Sequence, residues 1–488
     1  MDKQNSSYRQ IVRSTSIFGG AQVINTLIGI VRNKLGALLI GTDGIGLVGA
    51  YQNIIDLIRL VSNMGINTGG VRDIVSNSDN SAKQGQAVSV FRWWLMLTSC
   101  LGALLCLVLC RPISIWGFGD GGYAVPIAAL SAAVFFISLS NGQSAVLQGM
   151  RLITQMAKAN LYGNIAGLIV CITAYCFWGL KGIVPSFILS SVFLYFFTAR
   201  YARKIRGGKI PAEQALKQGL PNLRLGLYIA GVGIVGTASM FFVRSFLSQQ
   251  ADWNTVGIFN AAWTISFTYP ALILQSMGSD YFPRLCSVIR SAEDTCKLVN
   301  EQTYIALVVI TPVVVMMMLF SKYVLQFFYS SEFMLAALLL QWQIVGGFFK
   351  VLSWPLAFIL LAKGKGRYHL LAEIAFYAVY LGVGYVLFMR YGLVGLGVGY
   401  LAAYLVYLPI VYIFGLRLCS FRWTRQNILM IVYGILFVAA AIVSQLCVAA
   451  DYRLPTQILL SLLVAAYAFF MLNKAVNIKE LIRRIGKN

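Results

Sequence analysis

Five basic side chains fall inside stretches of the chain that are otherwise almost uncharged: Arg32, Lys34, Arg59, Arg244 and Lys350. A cation within an apolar span costs about 2.5 kcal/mol or more, so each needs a reason to be there. Two acids share such segments, Asp56 and Glu373, and a carboxylate so placed can take up a proton in a coupling cycle. The chemistry these residues offer is electrostatic: holding an anion, or exchanging a proton. Lys350 lies near the middle of its segment, too deep to snorkel, which leaves a functional cation or a structural ion pair. Arg244 stands one or two turns from the end of its segment, where snorkelling and cavity lining both fit. Arg32 and Lys34 share the outer part of the first segment, as interfacial anchors or cavity cations. Arg59 follows Asp56 by three residues on one helix face, and mutual neutralisation is the favoured reading. Glu373 and His369 sit at a segment boundary, where a bond to a basic loop and a plain interfacial role are the commoner explanations.

The elements that must position these charges are membrane helices. The chain of 488 residues is 59% hydrophobic yet carries a formal charge of +23, with a mean hydropathy of +0.75. A polytopic membrane protein with basic loops reconciles greasiness with charge, and nucleic-acid binding does not. A span needs roughly 20 mainly apolar residues. Fourteen stretches qualify, at 11–38, 44–71, 87–110, 123–149, 155–178, 182–199, 225–249, 256–282, 300–320, 335–361, 369–389, 392–415, 427–448 and 455–473. They are too long for barrel strands, so the expected class is all-α. With the N-terminus inside, 29 of the 39 basic residues fall in cytoplasmic segments and five in outer loops. That asymmetry predicts both termini in the cytoplasm, with the basic excess also favouring anionic headgroups. No cleavage-type signal precedes the first span, so that span is expected to remain as an anchor. The nine cysteines form no C-x-x-C pair and there is one histidine, so no metal site, cofactor or disulfide framework is expected.

An internal repeat organises the spans. Gly179-Leu180-Lys181-Gly182 returns as Gly392-Leu393-Val394-Gly395 after 213 residues. Gly46-Leu47-Val48-Gly49-Ala50 returns loosely as Gly257-Ile258-Phe259-Asn260-Ala261 after 211, and Gly149-Met150-Arg151 as Gly364-Lys365-Gly366 after 215. Three matches near one offset predict two six-helix lobes in parallel orientation around a central cavity. The expected division is an N-lobe over 1–206, a cytoplasmic linker over 207–224 and a C-lobe over 225–417. An appended helix pair with a basic tail follows over 418–488.

These residues resemble a known family. Arg244 with Trp253 and Val256-Gly257-Ile258 keeps a spacing R-x8-W-x-x-V-G-I. Trp342-Gln343-Ile344-Val345-Gly346 with Lys350-Val351 follows W-Q-[LI]-V-G-x-x-x-K-V, and Leu371-Ala372-Glu373 matches an L-A-E signature. Lys34-Leu35 with Gly44-Ile45-Gly46 adds K-L-x7–8-G-[LI]-G. Over about residues 10 to 417 the chain resembles Wzx-type translocases of lipid-linked oligosaccharides, such as O-antigen flippases, within the multidrug/oligosaccharidyl-lipid/polysaccharide exporter superfamily. The resemblance implies two six-helix lobes in a V that open alternately. The activity it implies is transfer of an undecaprenyl-pyrophosphate-linked repeat unit to the outer leaflet, ion-driven and without a catalysed reaction. Polymerase or chain-length machinery is the implied protein partner. A pyrophosphate suits the intramembrane cations, since arginine offers a fork of donors and lysine a point charge. Trp263, Trp342 and Trp354 then suit either sugar stacking or space filling, and Trp93-Trp94 an interfacial belt.

Other classes fit less well. A MATE-type drug or cation antiporter wants an acid-rich cavity, whereas cations outnumber acids here. A lipid II flippase shares the pyrophosphate head and is the nearer alternative. An integral glycosyltransferase or polymerase wants a large extramembrane catalytic loop, and no Walker A sequence for ATP hydrolysis occurs.

Overall fold

The computed structural model describes residues 2–78, 80–205, 207–208 and 210–475. The basic tail over 476–488 and the side chains of Lys3, Arg9, Arg13 and Arg224 lie outside the described residues. Helices account for nearly all of the described chain, and none of the described residues forms a strand. Eleven helices among them are long and apolar enough to cross a bilayer. Two of the eleven cover two expected spans each, Ile24–Asn63 and Ile153–Ala202. The expected span 256–282 is instead a broken helix, described below.

Contacts divide the chain into two compact units, one reaching Ile258 and including Phe328–Ser330, the other holding the rest. The first unit contains α1 (Asp2–Asn63), α2 (Ile66–Ser76), α3 (Ser81–Val108), α4 (Cys110–Phe118), α5 (Ala124–Gly149), α6 (Ile153–Trp178), α7 (Ile183–Ala202) and α8 (Ala212–Gln250). α1 leaves helical geometry at Gly41, where φ is 65°. The polar stretch expected as a linker over 207–224 is helical from Ala212 and continues unbroken into the apolar part of α8. One core cluster gathers Ile54 and Ile58 of α1, Cys106 of α3, Leu130 and Val134 of α5 and Ile183 of α7. A second gathers Ile74 of α2, Phe91 and Leu95 of α3, Val146 of α5 and Ala215 of α8. Trp94 belongs to this second cluster and is 8% exposed, its indole donating to the Ala215 carbonyl at 3.0 Å. Trp94 therefore does not sit at the surface as the expected interfacial belt requires, whereas Trp93 is 38% exposed.

The next helix, α9 (Trp253–Trp263), begins in the first unit. Asp252 starts it as an N-cap, its Oδ1 accepting from the Thr255 backbone amide at 2.7 Å. Bonds from the Thr255 hydroxyl and amide hold the Asp252 carboxyl below its ordinary pKa. The second unit continues with a π-helical turn at Thr264–Thr268 and α10 (Tyr269–Val288). Pro270 has no amide hydrogen to offer the Ser266 carbonyl, which accounts for the loss of α-helical register at this turn. The unit is completed by α11 (Ala292–Leu319), α12 (Ser321–Phe328), α13 (Ala337–Ala362), α14 (Gly366–Tyr391), α15 (Leu393–Cys419), α16 (Arg425–Cys447) and α17 (Ala450–Ala475). α15 packs on both α13 and α14. Its glycines permit this: a Cβ on Gly399 would lie 2.7 Å from Gly384 Cα, and one on Gly397 2.8 Å from the Leu339 carbonyl oxygen.

The appended pair α16–α17 is docked by polar side chains as well as apolar ones. Asn427 Nδ2 donates to the backbone oxygen of Asn300 at 2.9 Å and to its side-chain oxygen at 2.8 Å. Asn300 Nδ2 in turn donates to the Arg422 carbonyl at 3.0 Å. At the far end Gln445 accepts from Gln341 at 2.5 Å and donates to the Met318 carbonyl at 2.7 Å. In an apolar medium each such group must find a protein partner, so these bonds fix where α16 sits on α11 and α13.

The internal repeat is visible in the backbone. Gly179 (φ 53°, ψ −129°) and Gly392 (φ 60°, ψ −143°) adopt one conformation, in a region essentially closed to other residues. Gly182 and Gly395 each lie against the carbonyl oxygen eight residues earlier, that of Ala174 and that of Leu387. The turns before α6 and α14 also correspond: Leu152 bonds back to Leu147 and Lys365 to Leu360, both at 2.8 Å. Positive φ falls on Arg151 (58°) and Gly364 (68°). This register of 213 replaces the 215 expected from matching Gly149 to Gly364, because the turn's left-handed residue is Arg151. In the first unit, Gly46 and Gly257 face one another. A Cβ on either would collide with the carbonyl oxygen four residues before the other, at Trp253 and Thr42.

The Gly46–Gly257 contact leaves no room for a methyl. Gly257→Ala is expected to lower thermal stability in detergent by about 1–3 kcal/mol, as overpacking does. Gly382→Ala, where a Cβ meets nothing within 4 Å, should be neutral or stabilise by about 0.5–1 kcal/mol. Unfolding followed by fluorescence-detected size exclusion separates the two outcomes.

Candidate functional site

The second unit builds its site around Lys350. α13 carries Gln343 and Lys350 two turns apart, and that spacing puts them on one helix face. Lys350 Nζ stands 3.4 Å from the centre of the Phe267 ring, presented by the π-helical turn. A ring quadrupole so placed stabilises a cation by about 2 kcal/mol when water is excluded. Beside Phe267, the Ser266 hydroxyl donates to Gln343 Oε1 at 2.8 Å. Gln343 is fully buried, and its Nε2 has no acceptor among the described residues. Lys350 also lines a cavity of about 20 Å³ with Ser266, Val314, Met317, Ile344 and Gly347. Among the described residues Lys350 forms no ion pair. Pro355 deprives the Val351 carbonyl of its helical donor, and the Ser353 hydroxyl donates to the Lys350 carbonyl at 2.9 Å.

Glu373 of α14 is the carboxylate whose charge Lys350 feels. It accepts a bond from the Tyr407 hydroxyl at 2.9 Å, not from the basic loop that its boundary position suggested. An aromatic column links the two charges through Phe267, Trp263, Tyr400, Phe376 and Tyr407. Trp263 lies 4.8 Å from Phe267 and 5.5 Å from Tyr400, and Phe376 lies 6.0 Å from Tyr400 and 5.9 Å from Tyr407. Trp263 is 8% exposed and closes this column, so of its two sequence readings space filling is the one observed.

The first unit holds the remaining candidates. Arg59 bonds Asp56 at 2.9 Å, with both side chains partly exposed, which is the neutralising pair the spacing predicted. Gln52 Nε2 donates to the other Asp56 oxygen at 3.0 Å. Arg32 is exposed. Lys34 and Arg244 are half-buried, each engaged with a neighbour. The structure thus groups Asp56 with Arg59 in one unit and Lys350 with Glu373 in the other.

Sequence reasoning missed Phe267, Ser266, Tyr400, Tyr404 and Tyr407. A signal existed for the tyrosines: Tyr400, Tyr404 and Tyr407 recur at helical spacing on α15, and Tyr377 and Tyr380 lie on the facing α14. Phe267 had none, since it depends on the local shift to π register.

With this geometry in view, similarity to known proteins becomes informative. The family described as "Polysaccharide biosynthesis protein" matches residues 37–337. The lipid III flippase of Escherichia coli (strain K12) is 23% identical over 386 residues, covering 78% of this chain and 92% of that protein. The solved structure of the lipid II flippase MurJ in an inward closed conformation aligns with a TM-score of 0.71 at 15% identity, over 94% of this chain and 98% of the other. An inward-facing multidrug resistance MATE family transporter of the MOP superfamily aligns with a TM-score of 0.65 at 19% identity, over 82% and 98%. The fold is therefore that of the exporter superfamily which the sequence resemblance implied.

A cation set in apolar surroundings without an ion pair opposes folding. Lys350→Met, similar in volume, is expected to unfold at the same or a higher temperature than the native chain, by the reasoning that apolar replacement of buried charge gains on the order of 1 kcal/mol or more. Phe267→Leu, which keeps the lysine and removes the ring, should instead destabilise by about 1–2 kcal/mol. Thermal unfolding of both variants in one detergent reads the opposite signs.

Proposed function

The chain belongs to the polysaccharide biosynthesis protein family, and on that premise we propose that it is a flippase for undecaprenyl-pyrophosphate-linked oligosaccharide repeat units. It carries them from the cytoplasmic to the outer leaflet of a bacterial inner membrane by alternating access, with both termini in the cytoplasm. The observation that carries this reading is Lys350, a cation within an apolar helix that no carboxylate pairs among the described residues. A folding chain gains nothing from such a residue. A pyrophosphate crossing a low-dielectric interior gains a great deal.

Glu373 supplies a way to couple the cycle to an ion. Ionised, it competes with the pyrophosphate for the field of Lys350. Proton uptake leaves Lys350 uncompensated and ready for the anion, and proton loss weakens the hold and favours release. Tyr407, bonded to Glu373, keeps the carboxyl oriented in both states. Arg244, Lys34 and Arg32 supply further positive potential to the phosphates, and Asp56–Arg59 is a neutral pair that a passing anion can open. The chain carries out no catalysed reaction in this reading and needs neither metal nor nucleotide. Polymerase and chain-length proteins receive its product. The family membership and the lipid III flippase relative support a lipid-linked glycan as cargo. A lipid II flippase or a MATE-type antiporter is the alternative, and the paucity of intramembrane acids weighs against the second.

Deletion of the gene followed by analysis of lipid-linked glycans tests the assignment. Accumulation of a complete undecaprenyl-pyrophosphate repeat unit with loss of surface polymer is expected. Accumulation of lipid II instead would move the assignment to the alternative. On complementation, Lys350→Ala should abolish export with unchanged protein level and membrane insertion, and Lys350→Arg should restore part of it. Full export by Lys350→Ala would remove this residue from the mechanism.

A further inference from the structure

Outside the Lys350 region, an open pocket of about 1200 Å³ lies in the first unit between α3, α5 and α7, at the end where α7 stops. Four cations line it: Arg92, Arg200, Arg203 and Lys204. Among the described residues no carboxylate does. Arg92 is fixed in place, its guanidinium donating to the carbonyl of Ala202 at the end of α7 at 2.9 Å and to that of Ile205 in the turn beyond at 3.1 Å. The other three are exposed, and their side chains make no hydrogen bond or ion pair among the described residues. The wall that continues toward the apolar middle of the helices is aromatic, with Phe136 and Tyr195 rings 5.7 Å apart and Phe196 56% exposed. Gln143, also in the lining, has a buried Oε1 without a donor among the described residues.

We propose that this pocket binds the headgroup of an anionic, hydroxyl-bearing phospholipid of the phosphoglycerol type, taken from the adjoining leaflet. Charge sets the sign of the ligand: a phosphate satisfies the three free cations, with Arg92 holding the rim in shape. The aromatic wall sets its attachment, since a soluble anion has no use for apolar surface while an acyl chain lies along it. Gln143 Oε1 accepts from a headgroup hydroxyl. A basic pocket between helices at the membrane surface is the kind of place where such headgroups lodge. The site belongs to the first unit, shares no residue with the Lys350 site and does not depend on the nature of the cargo.

The test uses the full chain, purified in detergent and stripped of lipid, with thermal unfolding measured on adding phosphatidylglycerol, phosphatidylcholine or inorganic pyrophosphate. Phosphatidylglycerol is expected to raise the midpoint and the other two are not. The combined variant Arg200→Ala, Arg203→Ala, Lys204→Ala should lose at least half of that shift. A charge-matched control, Arg290→Ala, Lys297→Ala, Lys365→Ala, should keep it. Should the site variant unfold early without lipid, Lys204→Glu alone gives the same reading with one exposed change. Gln143→Leu should narrow the preference for phosphatidylglycerol over phosphatidic acid. An equal loss in the control would reduce the effect to diffuse surface charge, and stabilisation by pyrophosphate alone would make this a soluble-anion site. Either result overturns the proposal.

Discussion

A polar group placed in an apolar medium has to be satisfied by the protein itself, and most of this architecture follows from that constraint. It makes the chain helical. It also sorts the side chains that interrupt the apolar segments. Asn300 and Asn427 bond one another and the backbone, Gln341 and Gln445 do the same at the opposite end, and Asp56 takes both Arg59 and Gln52. Each of these groups is answered within its own unit: the asparagine and glutamine pairs fix one helix against another, and the Asp56 cluster closes along α1 itself. Lys350 is answered differently, by the face of a ring. Such a partner lowers the cost of burial without using up the positive charge. The residue best explained by something outside the folded chain is the one whose charge the fold leaves available.

The sequence disclosed the class and the repeat because both rest on properties that composition carries directly. Apolar length marks a span, and a glycine that must hold positive φ marks a turn. Gly179 and Gly392 were readable for that reason, and their matching dihedral angles bear the repeat out. The offset at the turn before α6 was misread because the residue with positive φ there is Arg151 and not a glycine. Arg59 with Asp56 was legible because three residues is a helical contact. Phe267 under Lys350 was not, because the two are 83 residues apart and a π-helical turn sets the ring's direction. Long-range pairs of this kind leave no periodic trace. Trp94 illustrates the same limit from the other side: tryptophan beside tryptophan near a span end suggests an interface, yet the partner that decides its place is the Ala215 carbonyl of another helix.

The helix pair α16–α17 has no counterpart in the first half of the repeat. Its attachment shows why it is nonetheless part of the second unit. α11 presents Asn300 within an apolar helix, and Asn300, whose Nδ2 also donates to the Cys296 carbonyl of α11 at 2.8 Å, bonds Asn427, the Thr424 amide and the Arg422 carbonyl. Without α16 and the residues that lead into it, the Asn300 Oδ1 would lose the donors it accepts from, at a cost of about 1–3 kcal/mol for a buried acceptor. α11 also packs on α13, the helix of Lys350. An element outside the repeat therefore anchors, through one intervening helix, the side of the second unit from which Lys350 projects. No such added pair occurs among the described residues of the first unit, where Asp56 and Arg59 pair locally and Arg32 is exposed. The asymmetry between the halves in added helices thus runs parallel to the asymmetry in where a buried cation without an ion pair among the described residues is held.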